Sequence, residues 1–436
     1  MKRYELRDPI HKRITFDDFE RDIIDHPFFQ RLRFISQLSF LQTYVYPGGV
    51  HDRFSHSLGA MHVAGRLFGR CIAGQSWICD QFSKGELDEL RRRIRLAGLL
   101  HDIGHGPFSH SSESVFPTLS SLPINSSWWR ERDDRQSKHE DYSVLLIQEL
   151  ALQGVIEMSL AQDVASLVHG EILPSSDFSR FEERIPTLHR VLKSMISGEV
   201  DCDRMDYLLR DSYYCGVAYG HYDIDWLISS MSIAKKDGKL ILAISDNGVR
   251  AFEDFLLARY HMIDQVYFHK TKAGFTHYLE QAIAKQEIQL TIPSDPREYA
   301  RLRDGHVIEL LFSSSKNEEN YWSHHLMNRI PAKRILRLHE KNSQDVQLLQ
   351  RLKIMCEKAG IRHFSHSVKS ELSHLGEGLP ESATLYVAHN TLSGVEYVPM
   401  SQYSGLLQSY NDRIEFTDFF VIREDFDQFQ TLTKVV

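Results

Sequence analysis

The chain has 436 residues, 42% hydrophobic and 25% charged, enough for a sizeable core in a soluble globular protein. Its net charge of −8, with no long basic tract, disfavours extended binding to a nucleic-acid backbone, and no apolar run approaches the ~18 residues of a membrane helix. Five cysteines, odd in number and in no CxxC pair, argue for a reducing compartment and against a zinc ribbon or disulfide frame; MKRYELRDPIHKR has no apolar stretch behind it to serve as a signal peptide, so the expected location is cytoplasmic.

Residues 1–16 read as a short extended or hairpin segment, with Asp8-Pro9 as the turn signal. Residues 17–38 read as helix in two pieces broken at His26-Pro27, and Phe28, Leu32 and Ile35 recur at helical spacing. A loop follows at YVYPGGVHD, then a helix from about Arg53 to Gly74 with Leu58, Met61, Ala64, Leu67 and Phe68 as its buried stripe. His56 lies one turn inside that helix, on an otherwise apolar surface. The next helix starts near Ser83, acidic at its start and basic in its middle; Arg91, Arg92 and Arg93 read as a solvated face.

This helix runs into LLHDIGHGPFSH. His101 adjoins Asp102 at an apolar helix end, His105 and His110 follow, and Gly104-His105-Gly106-Pro107 turns the chain. An imidazole and a carboxylate in that setting suit a divalent metal. Residues 117–138 read as an exposed loop. Helices are expected at about 139–153, 159–169, 186–197, 203–213 and 222–230, a β-hairpin at 232–245 turning at Asp237-Gly238, and long helices at 247–265 and 270–286. Four aspartates fall within the eleven residues DCDRMDYLLRD, around Leu, Met and Tyr. They suit either a cation or a mixture of N-capping and ion pairs to Arg204 and Arg210. The expected architecture is mainly α, a helical core over 1–290 followed by a smaller α+β region over 291–436 that serves as an interface or regulatory element.

The order His56, His101-Asp102, Asp203 resembles that of the HD-domain metal-dependent phosphohydrolases. The words RFSHSLGAMHVA, LAGLLHDIGHGPFSH, DCDRMDYLLRDSYYCG and VYFHK are similar to those of the deoxynucleoside triphosphate triphosphohydrolases, both the branch with an added SAM domain and its bacterial relatives. No SAM domain is expected here, because the pattern begins almost at Met1.

The resemblance implies one divalent ion (Mn, Fe, Mg, Zn, Ni or Co) held by His56, His101, Asp102 and Asp203. It implies acid–base work by His105, His110, Glu113 and His139, with Glu113 standing where the family has aspartate. Gln37, Leu38, Arg53, Arg204, Tyr207, Asp211, Tyr267 and Lys270 match substrate-contact positions, Arg204 replacing a lysine. Asp25, Gln30 and Arg33 match residues that read a guanine activator, GTP or dGTP, at a subunit interface, which implies a dimer or tetramer. The implied reaction converts a dNTP to deoxynucleoside and inorganic triphosphate. The alternatives are an HD phosphodiesterase acting on another nucleotide and a nucleotide-binding regulator without turnover.

Overall fold

A computed structural model of the protein describes residues 2–339, 342–370, 385–409 and 414–433. The chain opens with an antiparallel hairpin, β1 (Arg3–Asp8) and β2 (Lys12–Asp17), in which Leu6 faces Ile14. Asp8 Oδ1 accepts the N–H groups of Ile10 and His11 at 2.9 and 2.8 Å, so its side chain shapes the turn. Helix α1 (Asp18–Ile24) starts in a capping box between Asp17 and Glu20. The second expected helical piece is short: one α-turn at Pro27–Gln30 gives way to a 3-10 turn at Arg31–Phe34, and Ile35 is already extended.

Helix α2 (Arg53–Phe68) is capped by Asp52 and buried on most of its circumference. Helix α3 (Lys84–Leu100), capped by Ser83 and Glu86, crosses it closely: a Cβ on Gly98 would stand 3.0 Å from the Ala60 carbonyl oxygen. Helices α4 (His139–Leu152), α5 (Met158–Val168) and α6 (Cys202–Cys215) complete the frame around the site. Gly216, at φ 67°, ends α6 in the left-handed cap that glycine favours.

The next hairpin, β3 (Met231–Lys236) and β4 (Lys239–Ser245), turns at Asp237 and Gly238, both at positive φ. Helices α7 (Val249–Met262), α8 (Lys270–Ala284) and α9 (Asp304–Ser314) follow. The C-terminal part carries β5 (Lys333–Leu338), α10 (Ser343–Ala359), β6 (His363–Ser370), β7 (Tyr386–Thr391), β8 (Gly394–Pro399) and β9 (Ile414–Val421). Strands β5, β9 and β6 form one antiparallel sheet in that order; β7 pairs parallel to β4, so the other sheet runs β3-β4-β7-β8. The main core joins side chains of both parts, from Leu58 and Leu99 to Leu385, Val387 and Phe420. Among the described residues, no helix is long and apolar enough to cross a membrane.

Two readings of the sequence are corrected here. Residues 117–138 lack a helical period yet anchor Leu119, Leu122, Ile124, Trp128 and Trp129 in the core, with a bridge from Trp129 to Ile172. The segment is irregular because its apolar residues serve as single anchors. Arg93 is buried, its Nε 2.8 Å from Asp163, so only part of the arginine triplet faces water.

Gly104 lets the turn after α3 meet the first turn of α4. A Cβ there would lie 2.1 Å from Ser143 N and 2.2 Å from the His139 carbonyl oxygen. Because both obstacles are backbone, Gly104→Ala should lose about 1–3 kcal/mol of stability. A urea midpoint within error of the wild-type value would contradict this packing.

Candidate functional site

The last turn of α3 delivers His101 and Asp102, the first turn of α2 delivers His56, and the first turn of α6 delivers Asp203. Their polar atoms converge. His56 Nε2 lies 3.3 Å from His101 Nε2, 3.0 Å from Asp203 Oδ1 and 3.5 Å from Asp102 Oδ2. His101 Nε2 lies 3.4 Å from both Asp102 Oδ1 and Asp203 Oδ1. Ligand atoms about 2.1 Å from a shared cation stand roughly 3.0–3.4 Å apart, so this spacing fits one small divalent ion. His56, His101 and Asp102 form a group able to hold a metal, with Asp203 closing its open side.

The outward nitrogens are fixed as well. His101 Nδ1 lies 2.8 Å from the Gly98 carbonyl oxygen, and His56 Nδ1 lies 2.8 Å from Asp206 Oδ2. Donation from each Nδ1 leaves each Nε2 lone pair facing the cluster, the arrangement that metal-ligating histidines need. Asp206 is itself held: Arg210 donates to both its oxygens at 2.8 and 2.9 Å, and His11 Nε2 lies 2.7 Å from Oδ1. Arg210 reaches on to Asp8 at 2.8 Å. Gly59 makes room, since a Cβ there would fall 1.8 Å from Asp206 Oδ1.

Charge follows this geometry. Burial disfavours the His56 cation, but hydrogen bonds and attraction from Asp203 and Asp206 outweigh it and push its pKa up to about 10. Burial would raise Asp102, yet the neighbouring charges of Arg53 and His101, with a hydrogen bond from His105, hold its carboxyl well below the usual range. Asp203 is lowered as well, burial being overcome by His101 and His56.

Beside the cluster stand His105, His110, Glu113 and His139. Glu113 Oε1 lies 3.0 Å from His110 Nδ1 and 2.5 Å from His139 Nδ1. His105 stacks on His139 with ring centroids 3.7 Å apart, and its Nε2 is 3.3 Å from Asp102 Oδ1. Burial, then the charges of Arg53 and His139, hold His105 well below its ordinary pKa. Glu113 is lowered because its hydrogen bonds and attraction to His110 and His139 outweigh its burial.

A cavity of about 580 Å³ joins these groups. Gln37, Leu38, Arg53, Tyr207, Asp211 and Tyr267 all line it, together with Asp102, Asp203, His105, His110 and His139. Arg53 is buried, pairs with Asp102, and donates from Nε to Ser109 Oγ at 2.9 Å. Tyr267 donates to Asp211 at 2.8 Å, and His51 Nε2 meets the other oxygen of that carboxylate at 2.7 Å.

Two expected substrate contacts stand elsewhere. Arg204 donates to the Gly198 carbonyl at 2.6 Å and lies near Asp201 and Glu199, outside the cavity lining. Lys270 is exposed at the start of α8, and Lys272, two residues further on, lines the cavity instead. Asp25 is exposed. Gln30 donates to the Ile24 carbonyl at 2.8 Å and accepts from Arg33 Nε at 2.8 Å, while the Arg33 guanidinium lies 3.5 Å over the Phe54 ring. None of these three reaches the cavity lining. The expected site residues omit His11, His51 and Lys272, and Asp8 is expected only as a turn residue. The HKTK spacing does carry a signal for Lys272, because helix periodicity lets only one of its two lysines share the buried side of α8.

Fold and site together define a helical scaffold with a buried His/Asp cluster able to hold a divalent cation. Residues 53–211 match the HD domain and residues 222–362 the HD associated region, so the chain carries an HD domain followed by its associated region. An uncharacterized protein of Methanocaldococcus jannaschii is 32% identical over 332 residues, 76% of this chain and 58% of that one. The deoxynucleoside triphosphate triphosphohydrolase SAMHD1 of Gallus gallus is 29% identical over 341 residues, 71% of this chain and 52% of that one. The chain thus spans little more than half the length of these curated relatives. The crystal structure of a hypothetical protein from Aquifex aeolicus superposes with a TM-score of 0.73 at 26% identity, covering 99% of this chain and 100% of that one.

The cluster yields two expectations. Asp206→Asn should weaken Mn²⁺ binding roughly 10–100-fold by loosening His56, read by calorimetric titration; unchanged affinity would remove Asp206 from the metal's support. A cation that binds here must also displace the His56 proton. His56, raised from 6.5 to about 10, contributes stability that is present below pH 6.5 and lost as pH rises through about 10. Over that window the metal-free protein should lose stability while Mn²⁺ affinity climbs, by up to about tenfold per pH unit. A flat affinity profile would show that His56 does not carry the displaced proton.

Proposed function

We propose that the protein hydrolyses deoxynucleoside triphosphates to deoxynucleoside and inorganic triphosphate. The observation that supports this most is the cavity lined at once by Asp102 and Asp203 of the cluster, by His105, His110 and His139, and by Tyr207, Asp211 and Tyr267. A divalent ion bound by His56, His101, Asp102 and Asp203 would supply Lewis acidity to a phosphate oxygen and lower the pKa of the attacking water.

The remaining work falls to side chains of this chain. Arg53 and Lys272 bring positive charge to the phosphates, and the planar guanidinium of Arg53 is oriented by Asp102 and Ser109. Water adds to the α-phosphorus and the bond to the 5′ oxygen breaks, so that oxygen needs a proton. His110 and His139, each held at Nδ1 by Glu113, have their Nε2 atoms as the source. The Tyr207 ring stands edge-on to Tyr267, centroids 6.0 Å apart, and serves as the wall that leaves no room for a 2′ hydroxyl. The Asp25, Gln30 and Arg33 surface is the proposed guanine-activator site of a homo-oligomer; its support is that Arg33 packs on Phe54, next to Arg53.

The decisive experiment is a dNTP panel with Mn²⁺, Mg²⁺, Co²⁺ or Fe²⁺, assayed for inorganic triphosphate, beside a His101→Ala, Asp102→Ala double variant. Triphosphate release that falls to background in the variant is expected. Pyrophosphate or monophosphate would indicate a phosphodiesterase instead, and binding without turnover a regulator. In the same assay, Tyr207→Ala should lower the preference for dNTP over rNTP at least about tenfold, a step of about 1.4 kcal/mol in relative transition-state binding.

A further inference from the structure

The turn after the HD pair is held in a conformation that its own residues disfavour. Phe108 (φ 59°) and Ser109 (φ 53°) are successive non-glycine residues in the left-handed region, immediately before His110. Phe108 is fully buried and stacks on Phe40, with ring centroids 5.9 Å apart.

The group that holds this turn comes from 196 residues further along the chain. Asp304, buried in the first turn of α9, accepts the Phe108 N–H through Oδ1 at 2.8 Å. Its Oδ2 accepts the Ser36 N–H at 2.9 Å and the Ser36 hydroxyl. The Ser36 carbonyl in turn accepts from Ser109 Oγ at 2.8 Å, and Ser109 Oγ accepts from Arg53 Nε. All three donors to Asp304 lie outside the C-terminal part. Its neighbours secure the other side of the same turn: Tyr299 donates to the Gly104 carbonyl at 2.5 Å, and Arg31 donates to the Ile103 carbonyl at 2.7 Å and the Leu302 carbonyl at 3.4 Å.

We propose that Asp304 is a positioning residue for the active-site turn, fixing the left-handed Phe108–Ser109 pair so that His110 and, through Ser109, Arg53 face the cavity. The carboxylate is suited to this because both its oxygens must accept, and Phe108 can hold a positive φ only against a fixed partner. Asp304 touches none of His56, His101, Asp102 or Asp203, so it acts on the chemistry and not on metal binding. The kinetic part of the proposal rests on the hydrolase reading above; the structural part does not.

The test uses the full chain as wild type, Asp304→Asn and Ser36→Ala, in three measurements: hydrogen exchange over residues 103–112, Mn²⁺ affinity by electron paramagnetic resonance, and steady-state dNTP hydrolysis. The amide in Asp304→Asn turns an N–H₂ toward one set of donors. Exchange at the Phe108 amide should rise at least tenfold and kcat should fall roughly 10–100-fold, with KM and Mn²⁺ affinity within about threefold of wild type. Ser36→Ala, which spares the Phe108 bond, should show the same pattern at smaller amplitude and decides the matter if Asp304→Asn does not fold. Unchanged exchange, raised exchange with unchanged kcat, or Mn²⁺ affinity falling in step with kcat would each overturn the proposal. A wild-type protein that hydrolyses no dNTP would refute the substrate reading alone, and the exchange measurement would still decide whether Asp304 holds the turn.

Discussion

Two imidazoles stand 3.3 Å apart and each lies within 3.5 Å of both Asp102 and Asp203 at the bottom of a cavity, and much of the surrounding structure answers the charge they concentrate. An uncompensated ion at the buried members of this group would cost several kcal/mol. Asp102 therefore lies against Arg53, and the outward side of His56 lies against Asp206. Asp206 then needs partners of its own, and it finds Arg210 within its helix and His11 at the tip of the N-terminal hairpin. Arg210 is balanced in turn by Asp8 on the same hairpin tip. The first strands of the chain are thus tied to the metal-binding geometry by a continuous chain of buried ion pairs. Gly59 belongs to the same constraint, because any side chain there would occupy the place of the Asp206 carboxylate.

The parts legible in the sequence were those encoded over one or two turns. The apolar approach to His101, the helix start near Ser83 and the Asp237-Gly238 turn all depend on near neighbours, and each element forms where local chemistry puts it. The aspartate-rich segment before and within α6 shows why the competing readings of it could not be separated. Asp201 caps the helix through the Arg204 N–H, Asp206 pairs with Arg210, and Asp203, a turn's rotation away, faces the two imidazoles. Capping, ion pairing and the approach to the two imidazoles are distributed over one helix by its 3.6-residue period, so the two readings fall on different residues. What stayed hidden are partners separated by long stretches of chain. His11 is 195 residues from Asp206 and Asp304 is 268 from Ser36, and no local pattern joins them. Lys272 stayed hidden for a smaller reason: the motif word ends at Lys270, and helix phase decides which lysine turns inward.

The C-terminal part is bound to the helical core by more than adjacency. Strand β7 extends the sheet begun by β3 and β4, and its parallel pairing with β4 requires the long intervening chain to cross back before it can form. That intervening chain contains Tyr299, Leu302 and Asp304, whose side-chain and backbone oxygens hold the turn between Ile103 and Ser109. A region among whose described residues no metal-binding group occurs thereby contributes to the shape of the site.

The histidine group is arranged so that its members do not compete for one charge. Rings stacked at 3.7 Å, as His105 and His139 are, repel strongly if both are cations. Burial and the nearby charge of Arg53 settle this by keeping His105 neutral. Glu113 takes the opposite side: ionised, it offers one oxygen to the Nδ1 atoms of both His110 and His139 and leaves Oε2 uncommitted to either. An aspartate on the same backbone would be one methylene shorter. The longer arm of glutamate lets a single oxygen span both rings and fixes two tautomers at once, so that each Nε2 points away from the carboxylate. Glu113 thereby orients two rings toward the cavity, while His105, beside Asp102, is held neutral by burial and Arg53.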